Sequence, residues 1–590
     1  MTTDSLHSLC RLLSPAWAFG PIFAKELRVS SRHRRNYALR FAYLISLTIF
    51  VAAVWVDQMR WVRSAGVFSA SRMPETGKNI TAYIVLFQFW AAQLVTIVIL
   101  STSFSDEIYH RTLGLLMTTP ITNRQIVFGK LFSKLLQLLQ LLAITLPLLA
   151  IVRVFGGVAW GYLLSGFCIT VTTVLFVGSV TILMSMLFRQ PYTVIIATLL
   201  ALGAIFGSSA ILIAILRGHR ASFTTLAHVN PYIMLTLLHE RLFDPRIAWS
   251  LRISWPTHCA FMVGASIAVL CFCMALVRKL ALFQAASRAG LFLRMWRSGW
   301  SGLAGLIPAG KPGKKIRRVT GPPVVWKELV CRISSREKLV AGIIIGTEIA
   351  MILAIYLFFL VAREVGYNDA HKCYVFVFMA IGSIFTIILP ATRIAVEKEA
   401  HSWPLLLTTT LSDWDILAGK ISGALRRCLP VWALLFAYIG LFCYARCLHG
   451  VVIVEMAVIV IGILALVICS GLYFSSRCKR TSVAVIANIV LVVSLWLVLT
   501  ILPSVPVRFL HLRWDEHSRY SSYAVPFVQA AVVTDAAAEV NVRWTSYDWP
   551  NDDLSGAATM RILLASTAGY VTLGLLFAAL AKRRLRRDPF

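Results

Sequence analysis

Long apolar runs, separated by short polar and basic segments, set the pattern of this chain. Twelve runs are long enough and apolar enough to cross the roughly 30 Å hydrocarbon core of a bilayer as α-helices. Length and apolar character therefore predict an all-α integral membrane protein with about 12 transmembrane helices. We place these helices near residues 38–56, 81–103, 135–155, 161–187, 191–216, 256–277, 339–361, 372–392, 425–445, 451–475, 481–503 and 558–580.

The predicted helices divide into two halves of six. The first half covers residues 1–280, and the second covers residues 339–590. Between them, residues 281–338 form a basic linker with several Gly and Pro residues, which we expect to be cytoplasmic and to end in an interfacial helix. Because each half has an even number of helices, both halves enter the bilayer in the same direction. The pattern thus predicts two parallel six-helix repeats.

One polar segment occurs twice, at a constant shift of 290 residues. Residues 107–130 read EIYHRTLGLLMTTPITNRQIVFGK, and residues 397–420 read EKEAHSWPLLLTTTLSDWDILAGK. These segments, here called the first and second repeat loops, are polar islands in an apolar chain, so hydrophobic composition does not explain their match. We expect both to be cytoplasmic and to contact a partner. The eight identical positions pair Glu107 with Glu397, Leu115-Leu116 with Leu405-Leu406, Thr118-Thr119 with Thr408-Thr409, Ile126 with Ile416, and Gly129-Lys130 with Gly419-Lys420.

A second motif, Lys-Glu-Leu, also occurs in both halves. Lys25 and Glu26 precede the first predicted helix of the first half, and Lys327 and Glu328 precede that of the second. Around the first copy, apolar residues alternate with arginines, which is typical of a short amphipathic helix lying in the membrane interface. We therefore expect an interfacial helix before each half.

Composition changes how the charge is interpreted. Hydrophobic residues make up 58% of the chain and charged residues 14%, whereas soluble domains average about 45–50% and about 25%. The formal charge of +31 would suggest nucleic acid if the protein were soluble. Here most of the basic residues lie between predicted helices on one side, which is the positive-inside pattern. We expect a multi-pass protein of the cell's cytoplasmic (inner) membrane that contacts the lipid bilayer, with both termini cytoplasmic and no nucleic-acid partner.

The beginning of the chain carries no recognisable cleavable signal. Its first twenty residues lack a sufficiently long apolar stretch, so we expect the first membrane helix to act as the insertion signal.

Patterns for catalysis, metals and nucleotides are weak. The 12 cysteines lie mostly in apolar runs, with no C-x-x-C pair and no zinc spacing, and we interpret them as packing residues. Residues 305–311 have the spacing of a phosphate-binding loop, but Pro312 replaces the Ser or Thr that would hold Mg²⁺. No Ser-His-Asp constellation or carboxylate pair stands out. We expect no catalytic residue, no metal and no cofactor bound by this chain.

Two features lack a counterpart in the other half. Glu348 falls midway along the seventh predicted helix, where an acid is costly and is by default a candidate for transport or coupling. A neutral or hydrogen-bonded packing residue is the alternative.

Residues 504–557 form a predicted outside loop that is acidic and aromatic. A substrate gate, a partner site and a solvated loop dipping into the headgroups are the interpretations left open.

The first repeat loop resembles a known family loop. Together with the preceding Lys-Glu-Leu segment, it resembles the P-x-x-x-K-E-L and E-R-x-T-L-x-L-L-x-T-P-L…I-V-x-G-K-L motifs of ABC-2 type transporter permeases. The residues that carry the resemblance are Pro21, Lys25-Glu26-Leu27, Glu107, Arg111-Thr112-Leu113, Leu115-Leu116, Thr118-Thr119-Pro120-Ile121, Ile126-Val127 and Gly129-Lys130-Leu131. The resemblance covers roughly residues 20–280 and 320–585. The second loop departs from the motif, with His401 for Arg111, Trp403-Pro404 for Leu113-Gly114 and Thr410 for Pro120. We therefore expect the first loop to matter more.

In that family, this loop contains a coupling helix that docks on a separate ATPase subunit. The resemblance implies a permease, expected to export rather than import, with two copies of an ABC ATPase subunit as partners that hold ATP and Mg²⁺. ATP hydrolysis then belongs to the partner, and the substrate is unknown. An ion-coupled secondary transporter and a non-transporting membrane scaffold are the alternatives. The implied docking residues are Glu107, Arg111, Thr118, Thr119, Gly129 and Lys130 in the first loop, and Glu397, Thr408, Thr409, Gly419 and Lys420 in the second.

Overall fold

A computed structural model gives the fold of the chain. The structure describes residues 21–26, 28, 40–41, 43–52, 54–55, 69–109, 121–153, 158–188, 190–215, 227–243, 254–285, 321–330, 342, 346, 349–350, 368–501, 523–538, 546–549 and 552–586.

The chain separates into two compact units, Met1–Arg318 and Val319–Phe590. The boundary falls inside the predicted linker. In the described residues of the first unit, the helical elements are α1 (residues 21–26), α2 (Tyr43–Ala52), α3 (Ser69–Leu100), α4 (Thr102–Tyr109), α5 (Asn123–Arg153), α6 (Trp160–Leu187), α7 (Pro191–Ile215), α8 (Pro231–Phe243) and α9 (Trp255–Ala285).

The second unit presents its described helices in a similar order, with one β-hairpin added. They are α10 (Pro323–Val330), α11 (Asn368–Glu399), α12 (Trp403–Leu407), α13 (Asp413–Tyr444), α14 (Val451–Arg477), α15 (Thr481–Ile501), α16 (Pro526–Ala538), strands β1 (Ser546–Trp549) and β2 (Asp552–Ser555), and α17 (Gly556–Arg584).

Eight helices within the described residues are long and apolar enough to cross a membrane. The protein is therefore a helical, multi-pass membrane protein. Three further predicted helices appear as shorter apolar helices, Tyr43–Ala52, Pro191–Gly207 and Thr481–Trp496. The predicted helix 339–361 falls almost entirely outside the described residues, and so does Glu348. The eight spans are Pro74–Ser105, Asn123–Thr145, Trp160–Leu187, Trp255–Lys279, Tyr374–Glu399, Asp413–Tyr444, Val451–Arg477 and Gly556–Arg584.

A capping box opens the helix in which each repeat loop ends. The Thr122 and Gln125 side chains each accept a hydrogen bond from the other residue's backbone N–H, at 3.3 and 3.1 Å. Ser412 and Asp415 make the same reciprocal pair at 3.2 and 3.3 Å. Such boxes satisfy two of the amide groups left free at a helix start. Helices α5 and α13 therefore begin about three turns before the apolar stretches that predicted them.

Buried hydroxyl groups line the central helix of the first unit. Each donates to a carbonyl three or four residues earlier in the same helix, so a polar group is buried without an unmet hydrogen bond. The residues that do this in α6 are Ser165, Thr170, Thr173, Ser179, Thr181 and Ser185.

The predicted outside loop 504–557 is more structured than its composition indicates. It contains α16 and the antiparallel hairpin β1–β2, in which Tyr547 pairs with Leu554 and Trp549 pairs with Asp552. Tyr547 and Trp549 are buried and Asp548 is exposed, because successive strand residues point to opposite faces. The all-α prediction therefore misses this short two-stranded element.

Candidate functional site

The repeat loops are the candidate site, and the structure covers the second more fully than the first. Residues 110–120, which include Arg111, Thr118 and Thr119, lie outside the described residues. Both ends of the first loop and all of the second are described.

The two end residues of the first loop meet in an ion pair. Lys130 Nζ lies 2.7 Å from Glu107 Oε1, and its side chain is buried. The same ammonium donates to the carbonyl oxygen of Ser103 and lies 4.3 Å from the centroid of the Phe104 ring. A carboxylate, a carbonyl and an aromatic face thus share one buried cation. The start of α5 is thereby fastened to α4.

The second loop is closed in the same way. Lys420 Nζ lies 2.7 Å from Glu397 Oε1, so the first and last residues of the loop are paired again. The Lys420 side chain is 2% exposed. Because Glu397 is near the end of α11 and Lys420 is in α13, the pair fixes the distance between the two helices that carry the loop.

The short helices that carry the Lys-Glu-Leu motifs, α1 and α10, join these pairs, which sequence spacing alone did not indicate. In the second unit, Lys420 Nζ also lies 2.9 Å from Glu328 Oε1, so one buried lysine bridges two acids. In the first unit, the equivalent Glu26 pairs with Lys134, one turn beyond Lys130, at 3.3 Å. The two separately repeated motifs therefore converge on one charged cluster in each unit.

Two glycines allow the short helix α10 to approach α13. A Cβ atom on Gly419 would lie 2.4 Å from Val324 Cγ1, and one on Gly423 would lie 2.8 Å from Glu328 Oε2. Either contact is far shorter than van der Waals separation. Small residues four apart along a helix permit such close crossings. The glycine before Lys420 is thus needed because it brings Glu328 within reach of the lysine.

The charge state of Glu328 follows from its neighbours. Burial acts to raise the pKa of this carboxyl, but the charge and hydrogen bond of Lys420, followed by the charges of Arg393 and Arg427, outweigh it and hold the pKa below its usual value. Arg426 Nη1 also donates to the Glu328 backbone carbonyl at 3.0 Å. Glu328 is therefore ionised at neutral pH and stays paired with Lys420.

The remaining predicted residues lie at the edges of these clusters. Lys25 is exposed, and no contact of its side chain within the described residues bears on the cluster. Lys327 is 58% exposed and its Nζ lies 3.8 Å from Glu397 Oε1, a weak surface contact. Gly129 is buried beside Lys130. The Glu107 and Glu397 side chains are 25% and 20% exposed, and one carboxylate oxygen of each, Oε2, has no hydrogen-bond partner among the described residues.

The tip of the second loop is a short helix with one buried and one exposed face. Trp403 is fully buried at the beginning of α12, whereas Leu405 is 71% exposed. Thr408 and Thr409 follow α12, are exposed, and donate to the carbonyls of Leu405 and Leu406. The loop is therefore held at its base by the buried tryptophan, and it exposes an apolar side chain and two hydroxyl groups.

Sequence reasoning missed one buried acid altogether. Glu455 lies in the second turn of α14, is buried, and accepts a hydrogen bond from Tyr547 of the hairpin at 2.8 Å. Its signal was an acid within an apolar run, the same signal that drew attention to Glu348. Metal binding has no support in the part of the chain that the structure describes, where no three His, Cys, Asp or Glu side chains cluster.

Comparison with known proteins adds no relative. No protein-family model matches the chain, and no curated protein matches it. The functional argument therefore rests on the residues and on the geometry given above.

Proposed function

We propose that this chain is the membrane-spanning permease subunit of an ATP-driven ABC transporter of the ABC-2 type. In this proposal, separate ATPase subunits dock on the first and second repeat loops, and their ATP-driven closure moves the helices that carry the loops. This chain binds no nucleotide itself. Export is the expected direction, and the substrate class stays open.

One observation carries the proposal: each unit closes its repeat loop with the same ion pair, in which the lysine is buried. The Glu107–Lys130 and Glu397–Lys420 pairs have equal lengths of 2.7 Å. A connecting turn needs no buried charge, and taking a charge out of water costs several kcal/mol. A loop that must transmit force without deforming does gain from such a cross-link, because the pair joins the two helices on which the force acts.

The proposal includes a finer topology. About 12 membrane helices form two parallel six-helix repeats, and both termini and both repeat loops face the cytoplasm. The similar order of helices in the two units supports this arrangement. A transporter of this kind needs two membrane halves and two ATPases. We therefore expect one copy of this chain to assemble with two ATPase copies in the inner membrane.

Purification of the intact complex tests the proposal. The tagged chain is extracted from its own membrane in mild detergent, and co-purifying proteins are identified by mass spectrometry. We expect an ATPase with a phosphate-binding loop at two copies per chain. Replacing both loop acids (Glu107→Gln with Glu397→Gln) should lower the amount of bound ATPase or uncouple its ATP hydrolysis from transport.

The matched control is Glu75→Gln, which makes the same chemical change at an exposed helical position. Because the double variant removes the partners of two buried lysines, its elution in size-exclusion chromatography must show that it is still folded. Leu405→Asp offers a second probe, since this side chain is exposed and contributes little to the fold. If no ATPase co-purifies with the wild-type chain, and neither the double variant nor Leu405→Asp alters transport, the proposal is wrong.

Glu455 favours a second candidate, an ion-coupled secondary transporter. A buried acid within a membrane helix is a candidate proton or cation site, and here it is held by Tyr547. Reconstituted vesicles distinguish the candidates. Transport driven by an imposed proton or sodium gradient without ATP, and lost in Glu455→Gln, supports the second candidate; transport that needs ATP and the partner supports the first.

A further inference from the structure

The end of the C-terminal helix lies against the second repeat loop. Arg586 Nε lies 2.6 Å from Asp413 Oδ1, and its Nη2 donates to the Leu411 carbonyl at 3.0 Å. The Lys582 ammonium lies 4.7 Å from the ring centroid of Trp414. Three contacts of different kinds thus fasten α17 to the place where the loop enters α13.

An apolar cluster lies beneath these contacts. Trp403 of the loop and Leu585 after α17 belong to it together with Ala578 and Ala581, and all four are buried. The cluster also includes the cytoplasmic end of α14 through Leu472. The loop is therefore seated on two other helices of its unit, and its exposed residues share a surface with theirs.

The turn between α14 and α15 completes this surface. The backbone N–H of Thr481 donates to Glu399 Oε1 at 2.7 Å, which places the turn beside the beginning of the loop. Arg477, Lys479 and Arg480 in this turn are exposed. They extend the basic rim that Arg583 and Arg586 form on the other helix end.

Charge on this surface is predominantly positive. Its acids are engaged within the protein: Asp413 with Arg586, Asp415 in the capping box with Ser412, and Glu399 with Thr481. Leu405 of the same loop is an exposed apolar residue. The surface thus combines an exposed apolar side chain with a basic rim.

We propose that the second docking surface is composite, formed by the loop, the α14–α15 turn and the end of α17 together. It fits a protein face that carries an apolar pocket surrounded by carboxylates. This inference rests on the proposed function, and the partner that occupies the surface is the ATPase subunit. An anionic lipid surface is the alternative occupant, because clustered basic residues attract anionic headgroups, and it is an outcome of the test below.

Site-specific photo-crosslinking in the intact complex tests the composite surface. A benzophenone amino acid is introduced separately at Leu405, at Arg583 and at Tyr444, and the membranes are irradiated. Tyr444 is the control because it is 90% exposed at the opposite end of α13, about 45 Å from the loop. We expect the ATPase to be crosslinked from positions 405 and 583 and not from 444.

Charge reversal gives an independent measurement. The double variant Lys479→Glu with Arg583→Glu should weaken ATPase binding about tenfold and reduce its sensitivity to salt, because rim charges act through complementary potentials. Both side chains are at the surface, so folding should be unaffected, and a monodisperse elution profile checks this. Unchanged affinity would overturn the inference.

The outcomes separate this inference from the proposed function. Crosslinks from 405 but not from 583 leave the function standing and refute the composite surface. Crosslinks to lipid from 583 also refute it and identify the membrane as the occupant of the rim. Absence of crosslinks from both positions, with no co-purifying ATPase, refutes the proposed function itself.

Discussion

The candidate site depends on the lysine at the end of each repeat loop, Lys130 or Lys420, which pairs with the glutamate at the beginning of the same loop. Lys420 is nearly inaccessible to water and is held by Glu328 and Glu397. Replacing a whole buried ion pair by apolar residues can be neutral, but removing one partner leaves an uncompensated charge. Replacing Lys420 should therefore destabilise the protein strongly. Its sequence context, a polar turn next to an apolar run, does not indicate such an effect.

The first prediction concerns Lys420→Met. This change leaves two acids without their cation, and we expect it to destabilise the protein by about 3–5 kcal/mol. The measurement is the unfolding temperature of the detergent-purified chain. Lys327→Met is the matched control, because that exposed lysine is 3.8 Å from Glu397 and should change stability by less than about 0.5 kcal/mol. Equal effects of the two changes would contradict the role assigned to Lys420.

The second prediction concerns pH. The pKa of Glu328 is held below its ordinary value of 4.5, so its folded form binds fewer protons than its unfolded form. The stability that this group contributes is therefore fully present above pH 4.5 and is lost as the pH falls through the lowered pKa. We expect the difference in unfolding temperature between wild type and Glu328→Gln to be constant from pH 5 to 7 and to shrink below pH 4.5. A difference that grows on acidification would show the opposite sign of the shift.

Close approach of the short helix α10 to α13 is the decisive contact between elements. Gly419 and Gly423 provide the space for it, and the charged cluster forms only when the two helices touch. The sequence around residue 412 shows where helix α13 begins, because its capping box is visible as Ser-x-x-Asp. The same residues do not show which helix packs on α13 or where the two helices cross, because neither depends on neighbouring residues in the chain.

The third prediction distinguishes the effect of this contact on stability from the effect of helix propensity. Gly419→Ala places a methyl group against Val324, and we expect a loss of about 1–3 kcal/mol from overpacking. Gly440→Ala is the matched control in the same helix, where a Cβ meets nothing within 4 Å. That change should stabilise the helix by about 0.5–1 kcal/mol. Unfolding temperatures of both variants provide the measurement, and a stabilising Gly419→Ala would refute the close crossing.

Opposite ends of the second unit carry different kinds of structure. The repeat loop, the charged cluster and the basic end of α17 lie together at one end. The hairpin β1–β2 precedes α17 at the other, where Trp549 Nε1 donates to Thr559 and Tyr547 donates to Glu455. On the proposed topology, the first end faces the cytoplasm and the hairpin faces outside.

The fourth prediction tests this topology. Cysteines are introduced at Leu405 and at Asp548, both exposed, and intact cells are treated with a membrane-impermeant maleimide. We expect labelling above the wild-type background at position 548 in intact cells, and at position 405 only after the membrane is opened. Labelling of position 405 in intact cells would place the repeat loop outside and would exclude docking of a cytoplasmic ATPase.

The sequence by itself determined the membrane helices and the duplication. Eight of the predicted helices are found as candidate spans, because twenty apolar residues can satisfy their backbone in a bilayer only as a helix. Their occurrence in both halves of the sequence also marked Lys-Glu-Leu and the repeat loops as two separate motifs. Only the tertiary structure decided that Glu328 reaches Lys420, that Tyr547 covers Glu455, and that Arg586 holds Asp413. These contacts join residues that are far apart in the chain, and the close crossing of α10 and α13 at Gly419 and Gly423 fixes the first of them. Local pattern carries no information about such crossings.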